Sequence, residues 1–173
     1  MAASGKLEEG IAQMRRTIAI YRAMGAEMLV PWNHTVLAEA LGRVGKFDEA
    51  LQILEQAFEV MHRTDERHYE IEMYRVRGDL FRLRSYIEGA SNEQVTADEA
   101  AAKESYSTAL QMARTRQAIR FELRSAMGLV QLLQRKSDRA TAAAVLRAAY
   151  GRLSDGLETA ELQQAATLLR ELA

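Results

Sequence analysis

The sequence predicts an all-α protein, a stack of antiparallel helical hairpins, on three observations. The block Gly5-Lys6-Leu7-Glu8-Glu9-Gly10-Ile11 returns forty positions later as Gly45-Lys46-Phe47-Asp48-Glu49-Ala50-Leu51, and a period of that length marks helical hairpins piled on one another. Each copy opens a stretch in which apolar residues recur at threes and fours, the period of an amphipathic helix. A single proline stands among 173 residues, 48% of them hydrophobic. The chain is therefore poor in helix breakers and long enough to bury a substantial core.

The landmark of the block falls at Gly10, Ala50, Ala102 and Ala142, spacings of forty, fifty-two and forty. A bulky residue follows at plus four: Met14, Leu54, Tyr106 and Leu146. A smaller and then a larger residue stand at plus seven and plus eight, as Thr17-Ile18, Ala57-Phe58, Ala109-Leu110 and Ala149-Tyr150. Small residues let helices approach, and large ones fill the holes beside them. The middle repeat carries the twelve extra residues.

In chain order, the first helix is expected from Leu7 to Ala26, with Ile11, Met14, Ile18 and Tyr21 on one face and Gly25 near its end. Pro31 suits the first turn of a second helix reaching Val44, which Gly45 terminates. Phe47 to Thr64 shows the stripe Leu51, Leu54, Phe58 and Met61, and Thr64-Asp65-Glu66-Arg67 reads as a polar turn. Tyr69, Met73, Val76, Leu80, Leu83 and Ile87 predict a longer helix of about five turns. Gly89-Ala90-Ser91-Asn92 interrupts it, and Thr96-Ala97-Asp98-Glu99 has the form of a capping box, so a helix is expected from Ala97 to Arg116. Further helices follow at Ile119 to Arg135 and Asp138 to Leu153. After the break at Asp155-Gly156, Glu158 to Leu172 is expected as a capping helix with Leu162, Ala165, Leu169 and Leu172 on its apolar face. The whole reads as one domain over 1–173, with a half repeat at 7–26, repeats at 30–64, 68–116 and 118–153, and the cap at 158–172.

Composition narrows the function. Lys plus Arg number 23 against 24 Asp plus Glu, and so near a balance argues against nucleic acid as a partner. No cysteine is present, which removes disulfides, thiolate catalysis and zinc-thiolate sites and suits a reducing compartment. No apolar run approaches the roughly 18 residues of a membrane span, and the amino terminus lacks a signal-peptide core. A cytoplasmic protein away from the membrane is expected. His34, His62 and His68 are the only histidines and form no ligand pair, so neither metal nor cofactor is expected. Serines and threonines lack a histidine at a usable spacing, and no phosphate-binding glycine loop occurs. The acidic pairs Glu8-Glu9, Asp48-Glu49 and Asp98-Glu99 fall where first helical turns are expected, where the helix dipole favours them. The expectation is a protein without catalytic residues, not an enzyme.

The Gly-x-Phe-x-Glu-Ala block, with its bulky plus-four residue and plus-seven alanine, resembles the second half of a tetratricopeptide repeat. Further segments narrow the likeness: Tyr21-Arg22-Ala23-Met24-Gly25-Ala26-Glu27, Leu37-Ala38-Glu39-Ala40, Glu66-Arg67-His68-Tyr69-Glu70 leading to Arg77-Gly78-Asp79-Leu80, and Gly156-Leu157-Glu158-Thr159-Ala160-Glu161-Leu162. Together they are similar to the carboxy-terminal repeats of large bacterial signalling proteins that join an adenylate/guanylate cyclase domain, an AAA-like ATPase domain and tetratricopeptide repeats. The resemblance implies a right-handed superhelix of antiparallel hairpins, a cytoplasmic scaffold or regulatory module that binds protein or peptide.

By the same analogy the inner helices line a groove with Trp32, Glu39, Arg43, Glu72, Arg75, Asp79, Arg82, Arg124, Gln131 and Arg135. Arginines beside a tryptophan could hold a peptide's carboxylates and one apolar side chain. The spacing of Glu72, Arg75, Asp79 and Arg82 equally suits ion pairing along an ordinary helix face. A small-effector sensor is the alternative function. Ala3-Ser4-Gly5 aligns with the turn inside a hairpin, so the chain is expected to begin within a repeat, as a piece of a longer protein. The uncovered face of its first helix would then support self-association.

Overall fold

A computed structural model describes residues 2–135, 138–153 and 159–172. Within them run eight α-helices: α1 (Ala2–Ala23), α2 (Val30–Arg43), α3 (Phe47–Thr64), α4 (Glu70–Arg84), α5 (Asn92–Thr115), α6 (Ile119–Arg135), α7 (Arg139–Tyr150) and α8 (Ala160–Glu171), with a 3-10 turn at Glu27–Leu29. No strand occurs among the described residues. Nor is any helix among them long and apolar enough to cross a membrane. The Asp155-Gly156 break lies outside the described residues.

The reversals follow from backbone chemistry. Gly25 and Gly45 take left-handed conformations with φ of 70° and 78°. At Gly45 the amide of Lys46 donates to the Leu41 carbonyl at 3.0 Å and that of Gly45 to the Gly42 carbonyl at 3.1 Å, the paired bonds that satisfy the last carbonyls of a helix. Pro31 sits in the first turn of α2, where its missing N–H costs nothing.

Even-numbered helices form one layer, in which α2 packs on α4, α4 on α6 and α6 on α8. Each of α3, α5 and α7 nests between the two even helices that flank it in sequence, whereas α1 packs on α2 and the turn before it. The seams select residue size. Ala50, Ala57, Ala102, Ala109, Ala142 and Ala149 are fully buried, as are the plus-four residues Leu54, Tyr106 and Leu146. In α1 the equivalent Gly10 and Met14 are only half-buried, and Thr17 is exposed.

The tightest seam lies between α4 and α6. A Cβ added at Gly78 would stand 2.7 Å from the Tyr106 ring, and one at Gly128 only 2.3 Å from it. Tyr106 of α5 thus threads its ring between two helices that each give up a side chain to admit it.

Three element boundaries differ from expectation. Gly5 lies inside α1 instead of ending a turn, and Ala2 and Ala3 before it are strong helix formers. The Glu8-Glu9 pair is consequently interior to α1, not in its first turn. The long helix ends at Arg84, where Ser85 Oγ donates to the Arg82 carbonyl at 2.7 Å and the amides of Tyr86 and Ile87 bond back by three residues; Ile87 is left 48% exposed. The inserted residues lengthen α5 at its start, where the Ser91 side chain accepts from Gln94 N at 3.2 Å. Thr96 therefore caps nothing and donates to the Asn92 carbonyl within the helix. Asp98 is 1% exposed and takes two bonds from Arg84, at 3.0 and 2.7 Å.

His34 joins the first three helices. Its Nδ1 lies 2.8 Å from the Val30 carbonyl, which can only accept, so Nε2 is left to accept from Arg22 Nη2 at 3.1 Å. Arg22 also donates to Gln56 of α3 at 3.3 Å. Burial, together with the Arg22 charge, holds the imidazole below its usual pKa of 6.5 despite the bond to Val30. His62 and His68 are both exposed.

Two outcomes are expected. Gly128→Ala overpacks the Tyr106 ring and should lower unfolding free energy by about 1–3 kcal/mol in denaturant titrations; in a Tyr106→Leu background, where the ring is gone, the same Gly128→Ala change should cost much less. Unfolded His34 binds a proton as pH falls through about 6.5 while the folded side chain resists, so stability should decline below that pH. Titrations of His34→Gln across the same window should show a shallower decline.

Candidate functional site

A groove of about 470 Å³ opens along the even-numbered helices, lined by Glu39 and Arg43 of α2, Glu72, Arg75, Asp79 and Arg82 of α4, Arg124, Met127, Gly128 and Gln131 of α6, and Glu161 and Gln164 of α8. The spacing explains the convergence, because residues three and four apart share a helix face. Packing the even helices side by side aligns four such faces.

The charges answer one another. Arg75 bonds Asp79 through Nη1, and its Nη2 lies 2.8 Å from Glu72 Oε1 and 3.5 Å from Glu39 Oε1. Arg82 donates from Nε to Tyr106 Oη at 3.0 Å and from Nη2 to Asp79 at 3.4 Å. Arg124 donates to Glu161 from Nε at 2.7 Å and reaches Glu72 at 3.5 Å. Arg43 lies 3.3 Å from Glu39, with 65% of its side chain exposed. Burial works against the charges of Arg75 and Arg82. Around Arg75 the carboxylates of Asp79, Glu72 and Glu39 outweigh it, and around Arg82 Tyr106 and Asp79 do, so both pKa values rise.

Tyr106 connects the packing to this site. Its ring fills the Gly78–Gly128 seam, and its hydroxyl donates to Asp79 Oδ1 at 2.5 Å. Burial first, and then the Asp79 carboxylate, push the phenol well above its ordinary pKa, which keeps the proton on oxygen for that bond.

The ordinary ion-pair ladder along α4 is therefore present, but it is not a solvated one, since the Arg75 and Arg82 side chains are 12% and 13% exposed. Among the described residues, Glu72 Oε2 and Arg75 Nε of the cluster are buried without a hydrogen-bond partner. The arrangement can hold polar groups by hydrogen bonds.

Of the residues read from the sequence, Glu39, Arg43, Glu72, Arg75, Asp79, Arg82, Arg124 and Gln131 line this groove. Trp32 does not. It borders a separate cavity of about 330 Å³ between α1 and α2, with Met14, Ile18 and Val36, and packs on Tyr69 at a centroid distance of 4.9 Å. The Arg135 side chain lies outside the described residues. Met127, Gly128, Glu161 and Gln164 escaped the sequence reading. Gly128 had a signal, since its spacing of four from Arg124 and three from Gln131 puts it on their face; Glu161 and Gln164 belong to a helix read only as a cap.

Compared with known protein families and with curated proteins, the chain matches none.

Arg75→Met would strand three carboxylates beside a buried apolar side chain and should destabilise the protein by about 3 kcal/mol, whereas Arg43→Met on the exposed rim should change stability by less than about 1 kcal/mol. Chemical denaturation of both variants makes the comparison, and equal effects would contradict the assignment of Arg75 to the buried network.

Proposed function

We propose that this chain is a tetratricopeptide-like solenoid that binds an extended protein segment in the groove of its even-numbered helices and catalyses nothing. The observation that carries the reading is the groove itself, built by four alternate helices from side chains that repeat at helical spacing. Burial of the landmark, plus-four and plus-seven positions in the last three of the four copies supports the tetratricopeptide-like assignment. In this reading the chain positions or regulates signalling machinery, as the repeats of bacterial cyclase–ATPase proteins are expected to do.

Self-association through α1 belongs to the same reading. Ile20, Met24, Met28, Leu29 and Trp32 cluster at that end of the molecule with exposures from 38% to 73%, and apolar patches of this kind favour contact with another surface. The small-effector alternative draws on the 330 Å³ cavity lined by Met14, Ile18, Trp32 and Val36, within the size range of ligand pockets.

Charge reversal at Arg75 or Arg82 would test folding more than binding, because both are buried in ion pairs. The groove is better tested at Gln131 and Gln164. A random peptide library displayed on phage and selected on the full chain should enrich a consensus, and the Gln131→Glu, Gln164→Glu variant should bind that peptide about tenfold more weakly with unchanged helical circular dichroism. No enriched consensus, or equal binding by the variant, would remove the groove as a peptide site.

A further inference from the structure

The chemistry of the groove narrows what it can hold. Its arginines, Arg43, Arg75, Arg82 and Arg124, number the same as its carboxylates, Glu39, Glu72, Asp79 and Glu161, so the lining carries no formal net charge. Each arginine already has a carboxylate within 3.5 Å. An acidic ligand would have to compete with those partners and approach Glu72 and Asp79, whose side chains flank Arg75. A basic ligand meets the converse difficulty. Arginines lining a groove are a carboxylate clamp only while they are unpaired, and these are paired.

What the groove leaves unanswered is neutral and two-sided. Gln131 and Gln164 line it and make no hydrogen bond among the described residues, so each offers a carbonyl acceptor and an amide donor. In the same lining Glu72, with 8% of its side chain exposed, has Oε2 as an acceptor and Arg75 has Nε as a donor that no group among the described residues meets, both atoms buried at the groove's wall. Arg124 reaches the other oxygen of that carboxylate, Oε1, at 3.5 Å, a contact long enough for a better donor to displace. A carboxamide carries one N–H face and one C=O face, which is the complement of these groups, and Met127 with Gly128 supplies an apolar part of the lining.

We infer that the groove selects an electrically neutral, extended peptide rich in asparagine and glutamine and rejects acidic and basic tails. This rests on the peptide-binding reading above and specifies its ligand. The specificity arises because unmet donors and acceptors favour an amide, while charged ligands must break existing ion pairs.

Three fluorescent peptides of equal length test it on the full chain by anisotropy: one alternating Asn, Gln and Ala, one with Glu in place of Asn and Gln, and one with Lys in their place. The neutral peptide should bind at least about tenfold more tightly than either charged one, with an affinity nearly flat across a salt series. Glu39→Gln, which removes one carboxylate from the rim, should narrow the gap between the neutral and acidic peptides. Tighter binding of the acidic or the basic peptide, falling steeply with salt, would overturn the inference and leave peptide binding standing. Failure of all three peptides together with an unenriched library would overturn both.

Discussion

Tyr106 occupies space that two other residues would need, and much of the molecule depends on that trade. Its ring lies where side chains at Gly78 and Gly128 would begin, so the approach of α4 to α6 is set by an aromatic from a third helix. Close packing tolerates such a wedge only when opposing positions are vacated. The equivalent seams hold Leu54 and Leu146, which fill volume but present no polar end. Only in the middle seam does the filler continue into a hydroxyl, and that hydroxyl meets Asp79 and Arg82. The core and the groove are thus joined through one residue.

Buried carboxylates perform a second kind of joining. Glu122, with 2% of its side chain exposed, receives Arg114 Nε at 2.9 Å and Arg152 Nη1 at 2.5 Å, from the ends of α5 and α7. Glu70 receives Arg67 at 3.1 Å and Arg116 at 2.5 Å, and Asp98 receives Arg84. Charges so withdrawn from water add little net stability when paired, and removing one partner is costly. Their physical effect is to make one relative placement of neighbouring helices far better than its alternatives. The groove uses the same chemistry nearer the surface, which is why its arginines are not free to act as independent cations.

Much of the helical plan was legible in the sequence. Phe47–Thr64 and Ile119–Arg135 run between the residues read from the sequence; for the first, an apolar stripe bounded by Gly45 and Asp65 leaves few other solutions. The middle insertion was misread for a physical reason. Ile87 continues the apolar period of α4 and Thr96 has the form of a cap, but Arg84 and Asp98 pair across the loop, and that bond lies beyond any local pattern. Trp32 was misplaced similarly. The family analogy put it in the groove, but did not say that it turns toward Tyr69 and α1.

By itself the sequence determined which stretches are helical, where small and large residues alternate at the seams, and which polar residues share a helix face, since these follow from the 3.6-residue period and from backbone conformations that few residue types adopt. Tertiary structure alone decided which of those faces meet. It brought Glu161 and Gln164 of α8 alongside Arg124, turned Trp32 away, and gave Arg75 and Arg124 carboxylates from other helices. The groove's charge balance depends on distances between helices far apart in the chain, and a periodic pattern carries no information about those distances.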